Sequence, residues 1–368
     1  MEDQGLDVGI GAQGLDLQQH DGVVAGLDLV VDRARQVGGR VAKDLRVSVT
    51  DRCNLRCSYC MPAEGLDWMP TDQVLSTDEL IRVLTVAVRD LGIERIRFTG
   101  GEPLLRRDLE DVIAAVSGLP QSPEIAMTTN GLGLPRRVGG LVDAGLDRIN
   151  VSLDTIDPAR FAEITRRDRL TDVLDGLAAA RRAGLDPVKV NAVVPDRGDL
   201  PGVPDLLAYC LKHGYELRII EQMPLDADHA WQRAQMVTAQ EILATLRKRF
   251  TLLPDPTPRG SAPAATWLVD GHRGTHGPAR VGVIASVTRP FCGDCDRTRL
   301  TADGSLRNCL FATSETDVRH ALRTLPDDEI DAALARLWRA NMWAKAAGHE
   351  VNAAGFTQPD RPMSAIGG

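Results

Sequence analysis

Six of the seven cysteines in this 368-residue chain stand in two tight groups, Cys53-x3-Cys57-x2-Cys60 and Cys292-x2-Cys295-x13-Cys309. In a reducing compartment, thiols grouped in this way read as metal ligands rather than cross-links. Three thiolates within eight residues, Cys53 to Cys60, can hold three irons of a four-iron cluster and leave the fourth iron open to a substrate. Zinc is the alternative, but a structural zinc site takes four protein ligands, and no His or fourth Cys stands nearby. In the second group Asp303-Gly304 is a two-residue hairpin signal, and pairing outward from it sets Thr298 opposite Cys309. The third thiol is then brought toward Cys292 and Cys295, with Arg297 and Arg299 at the same place on the partner strand. On spacing, this trio suits zinc completed by an upstream His272 or His276 as well as it suits an iron–sulfur site. Cys210 belongs to neither group and is expected in the core of a helix.

These groups need elements to hold them. Six segments alternate apolar and polar residues, Leu45–Thr50, Ile93–Thr99, Glu124–Thr129, Asp147–Leu153, Pro187–Val194 and Glu216–Met223, with helical stretches between them. Such alternation predicts an α/β fold on a parallel sheet, and periodicity alone does not choose between a partial barrel and an open sheet. The first cysteine group directly follows strand one, at the carboxyl end where sites of β/α folds collect. Strand two ends in Thr99-Gly100-Gly101-Glu102-Pro103, whose glycines let backbone approach a ligand. Ser76 and Glu79 have capping-box spacing ahead of Leu80, Leu84, Val88 and Leu91, with Gly92 as the stop. Side chains alternate between strand faces, so Arg46, Arg97 and Lys189 share the faces opposite Leu45, Ile96 and Val188. Cations on equivalent inward faces predict an anion site, because unpaired buried charge is costly.

The composition is that of an ordinary globular chain, 43% hydrophobic and 26% charged, without an apolar run long enough to span a membrane. A formal charge of −8 argues against broad nucleic-acid binding, so an anionic ligand requires a locally basic pocket. The acidic start Met1-Glu2-Asp3-Gln4 lacks the features of a signal peptide, which predicts a cytoplasmic protein. Residues 1–38 are Gly-rich and carry no apolar period; a mobile extension, or a start codon placed too far upstream, is expected. The proline-dense stretch 254–265 reads as a linker.

The run Asp51-Arg52-Cys53-Asn54-Leu55-Arg56-Cys57-Ser58-Tyr59-Cys60-Met61-Pro62, followed one β/α unit later by Gly100-Gly101-Glu102-Pro103, resembles the radical S-adenosylmethionine superfamily. With the second cysteine group and the terminal Gly367-Gly368, it resembles the GTP 3′,8-cyclase family of molybdenum-cofactor biosynthesis from about Gly39 to the end. The resemblance implies an incomplete (β/α)6 TIM-type barrel over 39–253 and a cluster-binding domain over 266–368 that closes it. It implies two [4Fe-4S] clusters, on Cys53, Cys57 and Cys60 and on Cys292, Cys295 and Cys309, each with one open iron. S-adenosylmethionine contacts carry over to Tyr59, Gly101, Ser152 and Met223. GTP contacts carry over to Arg46, Arg97, Thr128, Lys189, Arg297, Thr298 and Arg299, while Arg297, Arg299, Gly367 and Gly368 carry over as catalytic. The implied partners are GTP, an external one-electron donor, a second copy of the chain and the next pathway enzyme, cyclic pyranopterin monophosphate synthase. A radical enzyme with an auxiliary cluster acting on a peptide is the nearest alternative, and a zinc-binding structural protein the more distant one.

Overall fold

The computed structural model describes residues 41–367 other than 347, 350 and 354, so the 1–38 extension and Gly368 lie outside the described residues. Strands β1 (Asp44–Ser48), β2 (Arg95–Thr99), β3 (Glu124–Thr129), β4 (Arg148–Ser152), β5 (Val188–Val193) and β6 (Glu216–Ile220) lie side by side in chain order, each parallel to its neighbour. Each matches an expected segment to within a few residues at its ends. Leu45, Val47, Ile96, Phe98, Ile149 and Val188 are buried on the helix-covered side. Arg46, Arg97, Asn150 and Lys189 point the other way, into a cavity.

The C-terminal part of the chain does more than follow this unit. Strand β9 (Gly277–Ile284) pairs in parallel with β6, and β10 (Arg297–Leu300) pairs in parallel with β1. Beyond β9 lie the antiparallel β8 (Ala265–Gly274) and β7 (Leu252–Pro254); beyond β10 lie β11 (Ser305–Arg307) and β12 (Thr316–Asp317). One sheet of twelve strands results, and it is open: β1 and β6 each take a late strand as neighbour instead of pairing with one another.

The turn between β10 and β11 differs from the expected one. Arg299 pairs with Arg307 and Leu300 with Leu306, so 302–304 form a three-residue loop closed by the Gly304 N–H donating to the Thr301 carbonyl at 3.0 Å. Gly304 takes φ +80°, the left-handed conformation that such loops demand. With a side-chain period of two, this one-residue difference puts Arg297, not Thr298, in line with Cys309. Thr298 is fully buried on the same side as its parallel partner Leu45.

The helices form where the sequence places their stops and starts. Thr77–Arg89 opens on the expected capping box, with the Ser76 hydroxyl accepting from the Glu79 N–H and the Glu79 carboxylate accepting from the Ser76 N–H. Its Leu80, Val83, Leu84 and Val88 are buried against the sheet, each contributing roughly 1.5–3 kcal/mol. Cys210 is buried in the helix Val203–His213, as the sequence predicts.

Candidate active site

The loop after β1 is held in place from three directions. The Arg56 and Ser58 N–H groups donate to the Thr165 and Ile164 carbonyls at 3.0 and 2.9 Å, fastening the loop to the end of the helix Pro158–Thr165. The Gly101 and Glu102 N–H groups donate to the Thr50 and Arg52 carbonyls, both at 2.7 Å. That contact explains the paired glycines: a Cβ on Gly101 would lie 2.2 Å from the Arg52 oxygen, and one on Gly100, at φ +143°, 2.4 Å from the Thr50 oxygen. From β3, the Asn130 amide donates to Asn54 Oδ1 at 2.7 Å and lies 3.9 Å from Cys53 Sγ. Glu102 is wholly buried and tied to β3, accepting from the Thr129 hydroxyl at 2.6 Å and the Asn130 N–H at 2.7 Å; burial pushes its carboxyl up to about 7. It serves the frame, while the glycine backbone faces the cavity.

Cys53, Cys57 and Cys60 line one cavity of about 150 Å³ with Tyr59, Gly100, Gly101, Thr128, Asn130 and Ser152. Burial is the first cause that raises all three thiols, Cys60 to about 12, with the neighbouring Cys53 adding to it. Uncharged thiols are the stable state of this cavity until a cation enters and displaces their protons. Among the described residues no three His, Cys, Asp or Glu side chains converge on one ion position. The donor set therefore suits a group that brings its own inorganic core to span the thiols, as an iron–sulfur cluster does. The Tyr59 hydroxyl donates to Asp154 Oδ2 at 2.8 Å, and burial pushes that carboxyl up to about 6.

Thr128 also lines a second cavity of about 500 Å³, so the two spaces adjoin. Its walls carry Arg46, Arg97, Lys189, Arg297 and Arg299, all expected, together with Met223. They also carry Arg95, Arg148, Arg218 and Arg259, while Asp44 is its one carboxylate. Burial draws Arg97 well below the usual guanidinium range, Arg299 down to about 9, Arg218 to about 10 and Lys189 to about 8. Arg46 adds to the first two and Arg218 to Lys189. The Nε atoms of Arg97, Arg148 and Arg297 are buried without a hydrogen-bond partner among the described residues. Desolvated, mutually repelling cations with open donors make a receptor for a highly charged anion. Alternation along β4 and β6 already put Arg148 and Arg218 on the inward face. Nothing in the sequence marked Arg259, which lies in the proline-rich segment and reaches the cavity because 259–263 fold back over it. Arg259 and Arg297 both stack on Phe291, each 5.1 Å from the ring centre.

The second cysteine group lies at the end of this cavity where β10 begins. Arg297 Nη1 donates to Cys295 Sγ at 3.7 Å, and the charge of Cys309 acts on Arg299. His272 and His276 are elsewhere, the first against Phe250 and the second 3.1 Å from Asp186, so neither completes the trio. Thr298 lines neither cavity. The C-terminal segment enters between the two spaces: Met363 and Ser364 line the first, the Ser364 N–H donates to the Cys60 sulfur, and the Gly367 carbonyl accepts from Arg299. Gly367, at φ +75°, is pressed so closely on β1 and β2 that a Cβ would lie 2.6 Å from Thr99 Cγ2.

Comparison with known proteins agrees with this arrangement. Residues 47–198 match the Radical SAM superfamily model and residues 215–351 the model described as Molybdenum Cofactor Synthesis C. The chain is 65% identical over 331 residues to "GTP 3′,8-cyclase" of Mycobacterium sp. (strain KMS), covering 90% of this chain and 92% of that one. It is 62% identical to the protein of the same name from Mycolicibacterium smegmatis (strain ATCC 700084 / mc(2)155), covering 90% of each. Among solved structures, SuiB of Streptococcus suis bound to S-adenosylmethionine superposes with a TM-score of 0.57 at 12% identity, over 90% of this chain and 78% of that one, a likeness of fold.

Proposed function

The chain belongs to the GTP 3′,8-cyclase family of radical S-adenosylmethionine enzymes, and from that premise we propose how its residues divide the work of the reaction. When bound, a [4Fe-4S] cluster supplies the electron that cleaves S-adenosylmethionine, and the resulting 5′-deoxyadenosyl radical takes the ribose 3′ hydrogen of GTP so that C3′ joins guanine C8, giving (8S)-3′,8-cyclo-7,8-dihydroguanosine 5′-triphosphate in the first step of molybdopterin biosynthesis.

Cys53, Cys57 and Cys60 hold the cluster, and Tyr59, Gly101 and Ser152 line the space beside them for the sulfonium cofactor. Arg46, Arg97, Lys189 and Arg299 hold the triphosphate, whose charge relieves their mutual repulsion. Thr128 stands where the two spaces meet, and Met223 on the side of the nucleotide. Cys292, Cys295 and Cys309 hold the second cluster, which takes the purine. Support for that assignment is the adjacency of Arg297 to Cys295 and of Arg299 to Cys309. Gly367 and Gly368 complete the site from the tail. Holding both reactants in adjoining, enclosed spaces excludes water and presents one hydrogen to the radical. Thr298, buried on the core side, acts by fixing the strand that carries Arg297 and Arg299.

The cavity walled by unpaired cations next to the three-thiol loop carries this reading. Anaerobic reconstitution with iron and sulfide, followed by incubation with GTP, S-adenosylmethionine and reductant, should yield the cyclised nucleotide and 5′-deoxyadenosine. Cys57→Ala should yield neither; equal 5′-deoxyadenosine from that variant rejects the assignment. Family membership also supports the remaining parts of the proposal: a radical domain over 39–253 and an iron–sulfur domain over 266–368 about the 254–265 connection, an external one-electron donor, a homodimer, hand-over to cyclic pyranopterin monophosphate synthase, and a cytoplasmic location. Among the described residues no helix is long and apolar enough to cross a membrane.

A further inference from the structure

The tail that reaches the site has little structure of its own. Its helix, Met363–Ile366, spans four residues, far short of the roughly 12–15 that sustain a helix in water. Its course must therefore be set by contacts outside it. Two involve the backbone of the loop after β6: the Gln358 amide donates to the Asp226 carbonyl at 2.6 Å, and the Met363 N–H donates to the Leu225 carbonyl at 3.0 Å. The strongest is ionic. Arg361 Nη1 and Nη2 donate to the two oxygens of Asp303 at 3.1 and 2.7 Å, and Nη2 lies 2.9 Å from Glu315 Oε2. The side chains of Arg361, Asp303 and Glu315 are 28, 14 and 21% exposed, so solvent screens the cluster only in part. Glu315 is held on its other side by Arg307.

Asp303 entered the sequence reading as a turn residue. A turn needs no charge there, since Asn serves as well. Its carboxylate instead faces the tail, on the same hairpin that carries Arg297, Arg299 and Cys309. Two residues beyond Arg361 begins the stretch that lines the thiol cavity, and six beyond it stands Gly367, on Arg299.

We propose that Arg361 is a positioning residue and that Asp303 with Glu315 is its receptor, a clamp that sets where the tail meets the two cavities. The bidentate fork fixes direction as well as distance, which a point charge does not. The activity arm of the test rests on the cyclase reading; the exchange arm stands without it.

Amide hydrogen exchange of the reconstituted enzyme, read by mass spectrometry on peptides covering 361–367, tests the clamp. Asp303→Asn keeps the turn and removes the charge, and Arg361→Gln removes the fork. Both should raise exchange of the tail roughly tenfold while the β1–β6 peptides stay as in the wild type. Arg361→Lys should fall between. The double variant should be no worse than either single one, because both remove the same interaction. In cyclisation assays kcat should drop about tenfold with KM for GTP and iron content unaltered. Tail exchange that stays at the wild-type rate, a rise spread over the whole sheet, additive effects in the double variant, or an unchanged kcat despite a loosened tail would each overturn the proposal. A wild-type enzyme that shows the exchange pattern but makes no cyclised nucleotide would leave the clamp standing and remove the cyclase reading.

Discussion

At the residue scale the molecule concentrates positive charge where water cannot attend to it. Lys189 illustrates the consequence for pH. Burial, with Arg218 adding, holds its ammonium at about 8, so in the free protein the charge is lost as pH rises through that value. A triphosphate favours the charged form, so binding takes up a proton above pH 8, and affinity for GTP should fall between pH 7 and 9. Titration calorimetry in buffers of different ionisation enthalpy would show the uptake, and Lys189→Arg should flatten the pH profile. Arg97→Ala should weaken GTP binding about 10–100-fold with iron content intact, since it removes a buried charged donor; a Kd equal to the wild type would take Arg97 out of the site. Arg46, Arg97 and Lys189 were legible because alternation in a strand is a strict period. Arg259 was not, because a segment without period has no face to assign.

At the element scale the most readable features were those with local chemistry. The capping box of Thr77–Arg89 stands as written in Ser76 and Glu79, and Ser76→Ala should cost about 1 kcal/mol of stability by thermal or denaturant unfolding. Gly101→Ala should have a different effect: its Cβ would press on the Arg52 and Asp51 carbonyls, so the variant should lose iron at the three-thiol loop, measured as iron per chain after reconstitution. The hairpin was less legible. Asp303-Gly304 announces a turn, but a two-residue and a three-residue loop share that signal, and the register shifts by one residue between them. The structural choice places Thr298 in the core and Arg297 toward Cys309. The β/α strands were found by alternation; β9 and β10 were not, because they arrive through antiparallel hairpins and join the parallel sheet only in space.

At the scale of the whole molecule, a sheet that encloses repelling cations is stabilised by the ligand that neutralises them. Saturating GTP at about 100 times its Kd should add about 2.7 kcal/mol and raise the melting temperature, inorganic tripolyphosphate should do so in part, and guanosine least. Equal shifts from guanosine and GTP would count against a triphosphate receptor. The sequence revealed two regions in chain order, yet the sheet interleaves them, with the late strands bordering the early ones on both sides. Asp44 lies beside Arg297, nearly the full length of the chain away. A growing polypeptide therefore leaves the ribosome with the first strand bare along one side, and it stays so until almost everything else has been synthesised. A fragment truncated after β6 would keep that side open for good, a template for sticking to its own copies.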